Sequence, residues 1–468
     1  MAARNFASPS LTTLENAGTP QAATTSRSEW SLISYFANAS YDFDKTYFFN
    51  ASVRRDGSSR FGLNNKFADF WSLGLAWDVK KEKFLSNIES ISTFKLKASY
   101  GTAGNSSIGN YNSLGTYALS AKYNDGPVAT PFSLPNPALT WETNKTLDIG
   151  AELGFFNNRI TAGFDYFDRT TDDLLYTVNV SSTTGFSSYF GNIGNVRNKG
   201  YEITIGADVI RAKDFNWNLS FNYTDVDNEI TKLFSDDVPA GSNGRLKVGY
   251  PINNYFMVRA AGINPANGKR QYLTKDGKVT ETYAASDAVM LDGKSPNVKF
   301  FGSLNSSFTY KGFDLNTQFY YSGGNYIYNF TYARGAYGNA FFNTQLFTEA
   351  FNYWKKPGDN VPFPSITDAT QNTFNTTDQW LQKGDYIMLR DLTMGYTANI
   401  PSKGFIGKLK LKSVRLFVQG TNLWFSTKFK GMPEVGQANR ETNAYPGSQS
   451  VFPYPQTKSF TTGIDIRF

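Results

Sequence analysis

The sequence predicts an all-β protein, a transmembrane antiparallel β-barrel, and three observations favour that class. Segments of about ten residues alternate apolar and polar side chains, as strands with one apolar face do. Aromatic residues make up 16% of the 468 residues, although the mean hydropathy is only −0.41. Long and short connections follow one another along the chain, which is typical of a barrel with long extracellular loops and short periplasmic turns.

The last ten residues show the alternation most clearly. Five residues share the apolar side of this segment: Phe460, Thr462, Ile464, Ile466 and Phe468. In a barrel this side would face lipid, and neighbouring strands would pair with the backbone. Taken alone, the segment also fits an ordinary edge strand of a β-sandwich.

The same alternation predicts about thirteen strands. They lie near residues 33–41, 47–53, 73–77, 96–100, 146–153, 160–166, 201–209, 217–223, 304–310, 313–321, 386–397, 414–422 and 459–468. Tight turns are predicted at Asn157-Asn158 and Lys311-Gly312. Long loops are predicted at about 101–137, 168–195, 226–299, 323–384 and 430–456, with a short helix at 343–354.

The lengths of the connections test the class. All short connections fall at one end and all long ones at the other, apart from two of middling length, after Trp77 and after Thr397. A soluble sandwich has no reason to sort its loops in this way. Because single-chain bacterial barrels have an even number of strands, an odd count predicts the C-terminal part of a larger barrel.

Composition excludes several other classes of protein. No apolar run approaches the ~18 to 20 residues of a membrane-spanning helix. The chain has no Cys and no His, so disulfides, thiolate sites and imidazole catalysis lack a required residue. The net charge of +7 is spread along the chain, which does not favour nucleic-acid binding. The first residues do not form a signal peptide.

Several segments resemble the TonB-dependent transporters of the SusC/RagA type, and they occur in that family's order. They are Val53 to Gly62 (VRRDGSSRFG), Leu96 to Asn105, Asn136 to Leu175, Asn192 to Gly206, Asp385 to Tyr396 (DYIMLRDLTMGY), Leu416 to Met432 and Tyr454 to Phe468. Together they cover nearly the whole chain. The resemblance implies that residues 1–468 are the C-terminal portion of a 22-strand barrel whose signal peptide, N-terminal extension, TonB box and plug are absent here.

The resemblance also implies a function. Such proteins lie in the outer membrane of Gram-negative bacteria and import nutrients, here oligosaccharides or peptides, with a SusD-like surface lipoprotein as partner. They are not enzymes. TonB would act through a region outside this chain, and the missing N-terminal barrel and plug segment and the lipid bilayer are further expected partners. The terminal residues Phe460, Ile464, Ile466 and Phe468 would form the signal for barrel insertion.

Two rival functions remain open at this point. A passive porin or a protein-secretion channel would share the barrel but would need no TonB box. A soluble β-rich glycan-binding protein would share the strands and the aromatic residues, and it would not require a membrane. The sequence upstream of Met1 would separate the first rival from a transporter, and extraction into buffer without detergent would identify the second.

The chain offers no catalytic, metal or cofactor constellation, so the candidate sites are binding surfaces. Polar strand positions predict a lumen lined by Asp148, Glu152, Glu202, Asp208, Asn218 and Asn222. Loop aromatics predict a contact with the partner first, with substrate second, and packing within the loop close behind: Tyr326, Tyr328, Phe330, Tyr332, Phe351, Tyr353 and Trp354.

Three asparagines and two acidic pairs complete the candidate set. The same loop holds Asn325, Asn329 and Asn343, whose amides would suit sugar hydroxyls. Asp172-Asp173 and Asp236-Asp237 lie in predicted extracellular loops, where they would suit a Ca²⁺ ion, although solvated loop carboxylates are the plainer interpretation.

Overall fold

A computed structural model describes residues 4–6, 17–19, 27–124, 126–235, 238–240, 244–336, 345–371, 374–400, 411–433 and 455–468. Its main element is one sheet of thirteen strands. The strands are β1 (Leu32–Phe43), β2 (Tyr47–Ser58), β3 (Phe67–Asp78), β4 (Ile91–Asn105), β5 (Glu142–Phe155), β6 (Ile160–Asp172), β7 (Gly194–Arg211), β8 (Phe215–Leu233), β9 (Phe300–Tyr310), β10 (Phe313–Gly323), β11 (Tyr386–Asn399), β12 (Ser413–Thr427) and β13 (Ser459–Arg467).

Each strand pairs antiparallel with the next one in the chain, from β1 to β13. The predicted strand count is therefore confirmed. Short hairpins form where the residues accept a left-handed backbone: Asn157 and Asn158 have φ of 57° and 56° between β5 and β6. In the part of the chain that the structure describes, β1 and β13 are the two open edges of the sheet.

The strands run further toward the long loops than the alternation predicts. β4 reaches Asn105, β6 reaches Asp172, β7 begins at Gly194 and β8 ends at Leu233. These extensions lie inside the predicted loops 101–137, 168–195 and 226–299, so those loop boundaries are wrong. Toward the long loops, β5, β6 and β7 carry charged side chains that pair across strands, so the hydrophobic period ends there before the ladder does.

The predicted loops also contain small hairpins. Tyr117–Tyr123 pairs with Gly126–Pro131, and Leu175–Asn179 pairs with Ser188–Asn192. The connection between β3 and β4 holds the short helix α1 (Lys83–Ser86). Across the described segments, no helix has both the length and the apolar character needed to cross a membrane.

Two long loops pack together at the end of the sheet opposite the short turns. They are the connections from β8 to β9 and from β10 to β11, and the second contains α2 (Phe330–Ala336) and a 3-10 helix (Thr348–Phe351). The helix predicted at 343–354 is thus limited to Thr348–Phe351 among the described residues. The buried side chains that join the two loops are called the loop core: Tyr255, Met257, Leu291, Tyr328, Ala333, Ala336, Phe363 and Trp380.

Candidate functional site

The register of the sheet separates an apolar face from a polar face. Directly paired residues point to the same side of a sheet, so Ile149 shares its side with its partner Tyr166, and Asp148 shares the other with Phe167. Ile149 remains 48% exposed within the chain, which is the expected state of a side chain that faces lipid. The polar face is the one that lines the lumen in a barrel.

The six residues predicted to line the lumen lie on this polar face. Glu202 pairs with Asp165, Asp208 with Asn218, and Asn222 with Thr204. The Nδ2 amide of Asn218 donates to Asp208 Oδ1 at 2.7 Å. These contacts place the side chains, and their part in transport stays a prediction.

Ion pairs cross the polar face over glycines. Lys97 on β4 and Asp165 on β6 both pair with Gly150 on the strand between them. The Lys97 ammonium lies 2.8 Å from Asp165 Oδ1 and 3.8 Å from Glu152 Oε1. A methyl group at Gly150 would approach Asp165 Oδ1 to 2.0 Å, so glycine leaves the space through which the two charges meet.

A second crossing joins the last strands. The Arg415 guanidinium on β12 donates to both carboxylate oxygens of Asp314 on β10, at 2.9 and 2.7 Å, and to Asp465 on β13 at 3.2 Å. Gly395 on the intervening strand β11 would place a Cβ 2.6 Å from Asp314 Oδ1. Sequence reasoning missed both crossings, because a glycine between opposite charges is visible only when the register of three strands is known.

Aromatic rings form two belts on the apolar face. Near the short turns, Tyr47 stacks on Trp77 at 6.2 Å and Trp217 stacks on Phe308 at 5.2 Å between ring centroids. Toward the long loops, Tyr223 lies 5.9 Å from Tyr201. Rings at both ends of an apolar band are the arrangement that membrane interfaces favour.

The terminal strand contributes to the apolar face. Ile464 pairs with Leu416 and Ile466 with Val414, while Phe460 lies opposite Gly420. Phe468 follows the end of β13 and is 71% exposed. The placement is compatible with an insertion signal, and that role stays a prediction.

The structure places most of the predicted loop aromatics inside the loop core. Tyr328 is 2% exposed, and Tyr326, Phe330, Tyr332 and Tyr353 pack against the core. Their placement is that of packing residues, the role ranked below partner and substrate contact.

The two remaining loop aromatics differ from each other. Trp354 is partly buried and donates from Nε1 to the carbonyl of Pro265 at 2.9 Å. Phe351 is 70% exposed, so this side chain has the largest exposed fraction of the seven, and its contact with a partner stays a prediction.

The loop asparagines also have structural contacts. Asn329 is fully buried, and its Nδ2 donates to Gln382 Oε1 at 3.1 Å and to the carbonyl of Lys430 at 2.9 Å. Its Oδ1 accepts from the N–H of Tyr332 at 2.9 Å. Asn325 is fully buried beside Gly384. Asn343 lies outside the described residues.

Of the two acidic pairs suggested for Ca²⁺, the structure describes Asp172 and Asp173, and the Ca²⁺ role stays a prediction. Asp172 Oδ2 lies 2.6 Å from the Lys145 ammonium, and Asp172 Oδ1 accepts from Asn195 at 2.6 Å. No group of three acidic side chains that would hold a metal occurs among the described residues. Asp236 and Asp237 lie outside them.

Two loop carboxylates differ in their electrostatic environment. Burial raises the pKa of Asp378, although its Oδ1 accepts from the N–H of Ala260 at 2.8 Å. Hydrogen bonds lower the pKa of Glu349, with its own backbone as the first cause and Lys430 as the second. The loop region therefore holds one carboxylate strained by burial and another stabilised by its neighbours.

An antiparallel sheet of thirteen strands, with an apolar face bordered by aromatic belts and a polar face crossed by ion pairs, defines the wall of a transmembrane β-barrel. Comparison with known families agrees. Residues 3–268, more than half of the chain, match the family model described as TonB dependent receptor-like, beta-barrel. The chain therefore belongs to this family of TonB-dependent receptor barrels, whose members lie in the outer membrane.

Relatives match over nearly the whole chain. TonB-dependent receptor P3 of Formosa agariphila is 31% identical over 94% of this chain and 46% of its own length. TonB-dependent receptor SusC of Bacteroides thetaiotaomicron is 29% identical over 93% of this chain and 44% of its own length. The chain thus spans about half the length of the curated relatives it matches.

Solved structures match as well. The structure of the RagAB peptide transporter superposes with a TM-score of 0.85 at 28% identity, covering 98% of this chain and 50% of that chain. The RagAB peptide importer in its 'open-open' state gives a TM-score of 0.83 at 29% identity, with the same coverage. The predicted resemblance to the SusC/RagA type and the predicted C-terminal barrel portion are confirmed.

Proposed function

We propose that this chain is the C-terminal barrel portion of an outer-membrane transporter that imports nutrients in a TonB-dependent manner. Oligosaccharides and peptides are the proposed cargo, and the protein performs no bond chemistry. The observation that carries the proposal is the match to RagAB over 98% of the chain, joined to membership of the TonB-dependent receptor family. An N-terminal barrel segment and a plug outside residues 1–468 would complete the wall and couple it to TonB.

The polar face supports a transport role. Its acidic side chains are arranged with Lys97, Arg415 and several asparagines, so the inner wall is hydrated and mixed in charge. A hydrated wall lets a polar solute pass once a plug has moved. Changes on this face therefore alter the route of the cargo without removing lipid contacts.

The experiment expresses the intact protein in a Gram-negative host that lacks its own copy. Uptake of labelled peptides and oligosaccharides is measured in cells with TonB and in cells without it. We expect uptake that requires both the intact protein and TonB. Equal uptake without TonB would support the passive porin or the secretion channel instead. Extraction of the protein into buffer without detergent would support a soluble glycan-binding protein.

We further propose that a SusD-like surface lipoprotein caps the long-loop end and that Phe351 is part of the contact. This side chain is 70% exposed, more than any other aromatic that the structure describes in this loop, and exposed aromatics are frequent anchors of protein interfaces. Affinity purification of the tagged transporter from its own outer membrane should co-purify a surface lipoprotein. Phe351→Asp should lower that yield, whereas Phe84→Asp, a similarly exposed ring in α1 at the short-turn end, should not.

A further inference from the structure

The loop between β8 and β9 contains a cavity of about 530 Å³. Three cationic side chains line it: Arg245, Lys247 and Lys275. The remaining lining side chains are apolar or aromatic, among them Phe256 and Met290. None of the described residues that line the cavity is an Asp, Glu, Asn or Gln.

The cavity is attached firmly to the barrel. The N–H of Ile230 on β8 donates to the carbonyl of Tyr250, and the N–H of Gly249 donates to the carbonyl of Ile230, both at 2.9 Å. Phe256 pairs with Met290 in a short ladder that forms the apolar wall. These backbone contacts therefore attach the cavity wall to β8.

Charged side chains lie in the cavity wall and next to it. The Arg245 guanidinium carbon lies 4.4 Å from the centre of the Phe256 ring, which holds this cation against the apolar wall. Two carboxylates lie against the lining and are hydrogen-bonded there: Asp292 accepts from the Tyr250 hydroxyl at 3.0 Å, and Asp287 accepts from the backbone N–H of Lys275 at 3.3 Å.

The two lysines have no carboxylate partner in the part of the chain that the structure describes. Lys247 lies 5.5 Å from the centre of the Tyr250 ring, and both Lys247 and Lys275 are exposed. An anionic group that entered the cavity would meet these ammonium groups at its mouth and the apolar wall behind them. Opposite charges at such sites attract, and salt weakens the attraction.

We propose that this cavity binds a short peptide through its terminal carboxylate, with an apolar side chain of the peptide against Phe256 and Met290. This inference deepens the proposed transport function and rests on it. A sugar needs both donors and acceptors for its hydroxyls, and the described lining offers cations and apolar surface without amide or carboxylate acceptors. The lining thus favours a peptide over an oligosaccharide.

The test measures binding to the intact transporter in detergent by titration calorimetry. The probe is N-acetyl-Ala-Ala-Phe with a free carboxylate, compared with the same peptide as its C-terminal amide. We expect the acid to bind at least about tenfold more tightly than the amide, because a hydrogen bond to a charged group is the stronger one. This advantage should shrink when NaCl is raised.

The double variant Lys247→Gln with Lys275→Gln should bind the acid no better than the amide. Lys278→Gln is the matched control, because Lys278 is an exposed lysine of the same turn that does not line the cavity. Equal binding of acid and amide to the unchanged protein would overturn the proposal, and so would full binding by the double variant. Methyl glucuronide serves as the sugar probe, and tighter binding of this probe would overturn the preference for a peptide.

This binding test is independent of energy coupling. Loss of TonB-dependent uptake with peptide binding intact would contradict the proposed function alone. Uptake of peptides without any effect of the two lysines would contradict the cavity alone. The double lysine variant and the Lys278→Gln control are first checked for the heat-dependent change in gel mobility that folded barrels show.

Discussion

The barrel wall and the loop core bury apolar surface in opposite directions. In the wall, Ile149 and Ile464 point away from the polar face and stay exposed within the chain, because outward side chains of a membrane barrel contact lipid. In the loop core, Tyr328 and Trp380 point inward, as they do in a soluble domain. Exposure of an apolar side chain therefore indicates lipid contact in the wall, and in the loop core it would indicate lost packing.

The largest expected effect tests the loop core. Trp380 is 3% exposed and stacks between Phe363 and Phe374, at 6.3 and 6.2 Å between centroids. Trp380→Ala should destabilise the loop core by about 3–5 kcal/mol and leave the barrel folded. Limited proteolysis should cut the loops while heat-modifiable mobility is retained. Phe351→Ala, at an exposed position, is the control and should change neither.

The next effect tests the wall. Ile149→Arg should destabilise the barrel by ~2–4 kcal/mol if the residue lies near the bilayer midplane, as measured by urea unfolding in lipid vesicles. Asp148→Lys, one residue away on the polar face, should unfold at the same urea concentration and alter transport instead. Normal barrel formation by Ile149→Arg would contradict the assignment of the two faces.

A smaller effect tests the glycine crossings on the polar face. Gly150→Ala would place a methyl group 2.0 Å from Asp165 Oδ1 and 2.5 Å from Lys97 Cε, so the ion pair must separate. We expect a loss of about 1 kcal/mol, because a partly exposed pair contributes little and some strain is added. Gly74→Ala is the matched control, since its nearest neighbour would be 3.9 Å away. Equal unfolding curves for the two variants would show that the crossing has no energetic role.

The smallest effect concerns pH and the loop core. The pKa of Asp378 is raised in the folded loop by burial, with Lys294 and Arg259 opposing the shift. The Asp378 carboxyl therefore stays protonated to a higher pH in the folded loop than in the unfolded chain. Between the ordinary and the raised pKa, loop stability should fall as pH rises, and it should then level off. Asp378→Asn should flatten this dependence in hydrogen exchange of Ala260, and an unchanged slope would contradict it.

The sequence was most informative where one face meets lipid. Alternation predicts all thirteen strands because every outward position of β5, β6 or β13 must be apolar at membrane depth. Beyond membrane depth, toward the long loops, outward positions need not be apolar, and alternation no longer predicts the strand. Outward positions of β5, β6 and β7 are charged there and form two cross-strand ion pairs, Lys145 with Asp172 and Arg197 with Asp168. In the sequence, these charged positions look like a loop.

The loop core could be predicted only in composition. Tyr326 to Tyr332 indicated an aromatic loop, but Tyr255 and Trp380 come from segments far apart in the chain, and no local period joins them. The cavity beside it was missed for the same reason. Lys247 and Lys275 are far apart in the sequence, and the path of the loop that brings them to one cavity cannot be predicted from the sequence.

The glycine crossings also bear on the width of the barrel. A ladder of backbone bonds re-forms after two strands slide by two residues, so the ladder alone tolerates alternative staggers. Lys97 and Asp165 belong to strands that share no ladder, so their contact adds a constraint on the stagger of β4, β5 and β6. Strand number and stagger together determine barrel diameter. The absence of a side chain at Gly150 thus helps to hold the strand stagger on which the barrel diameter depends.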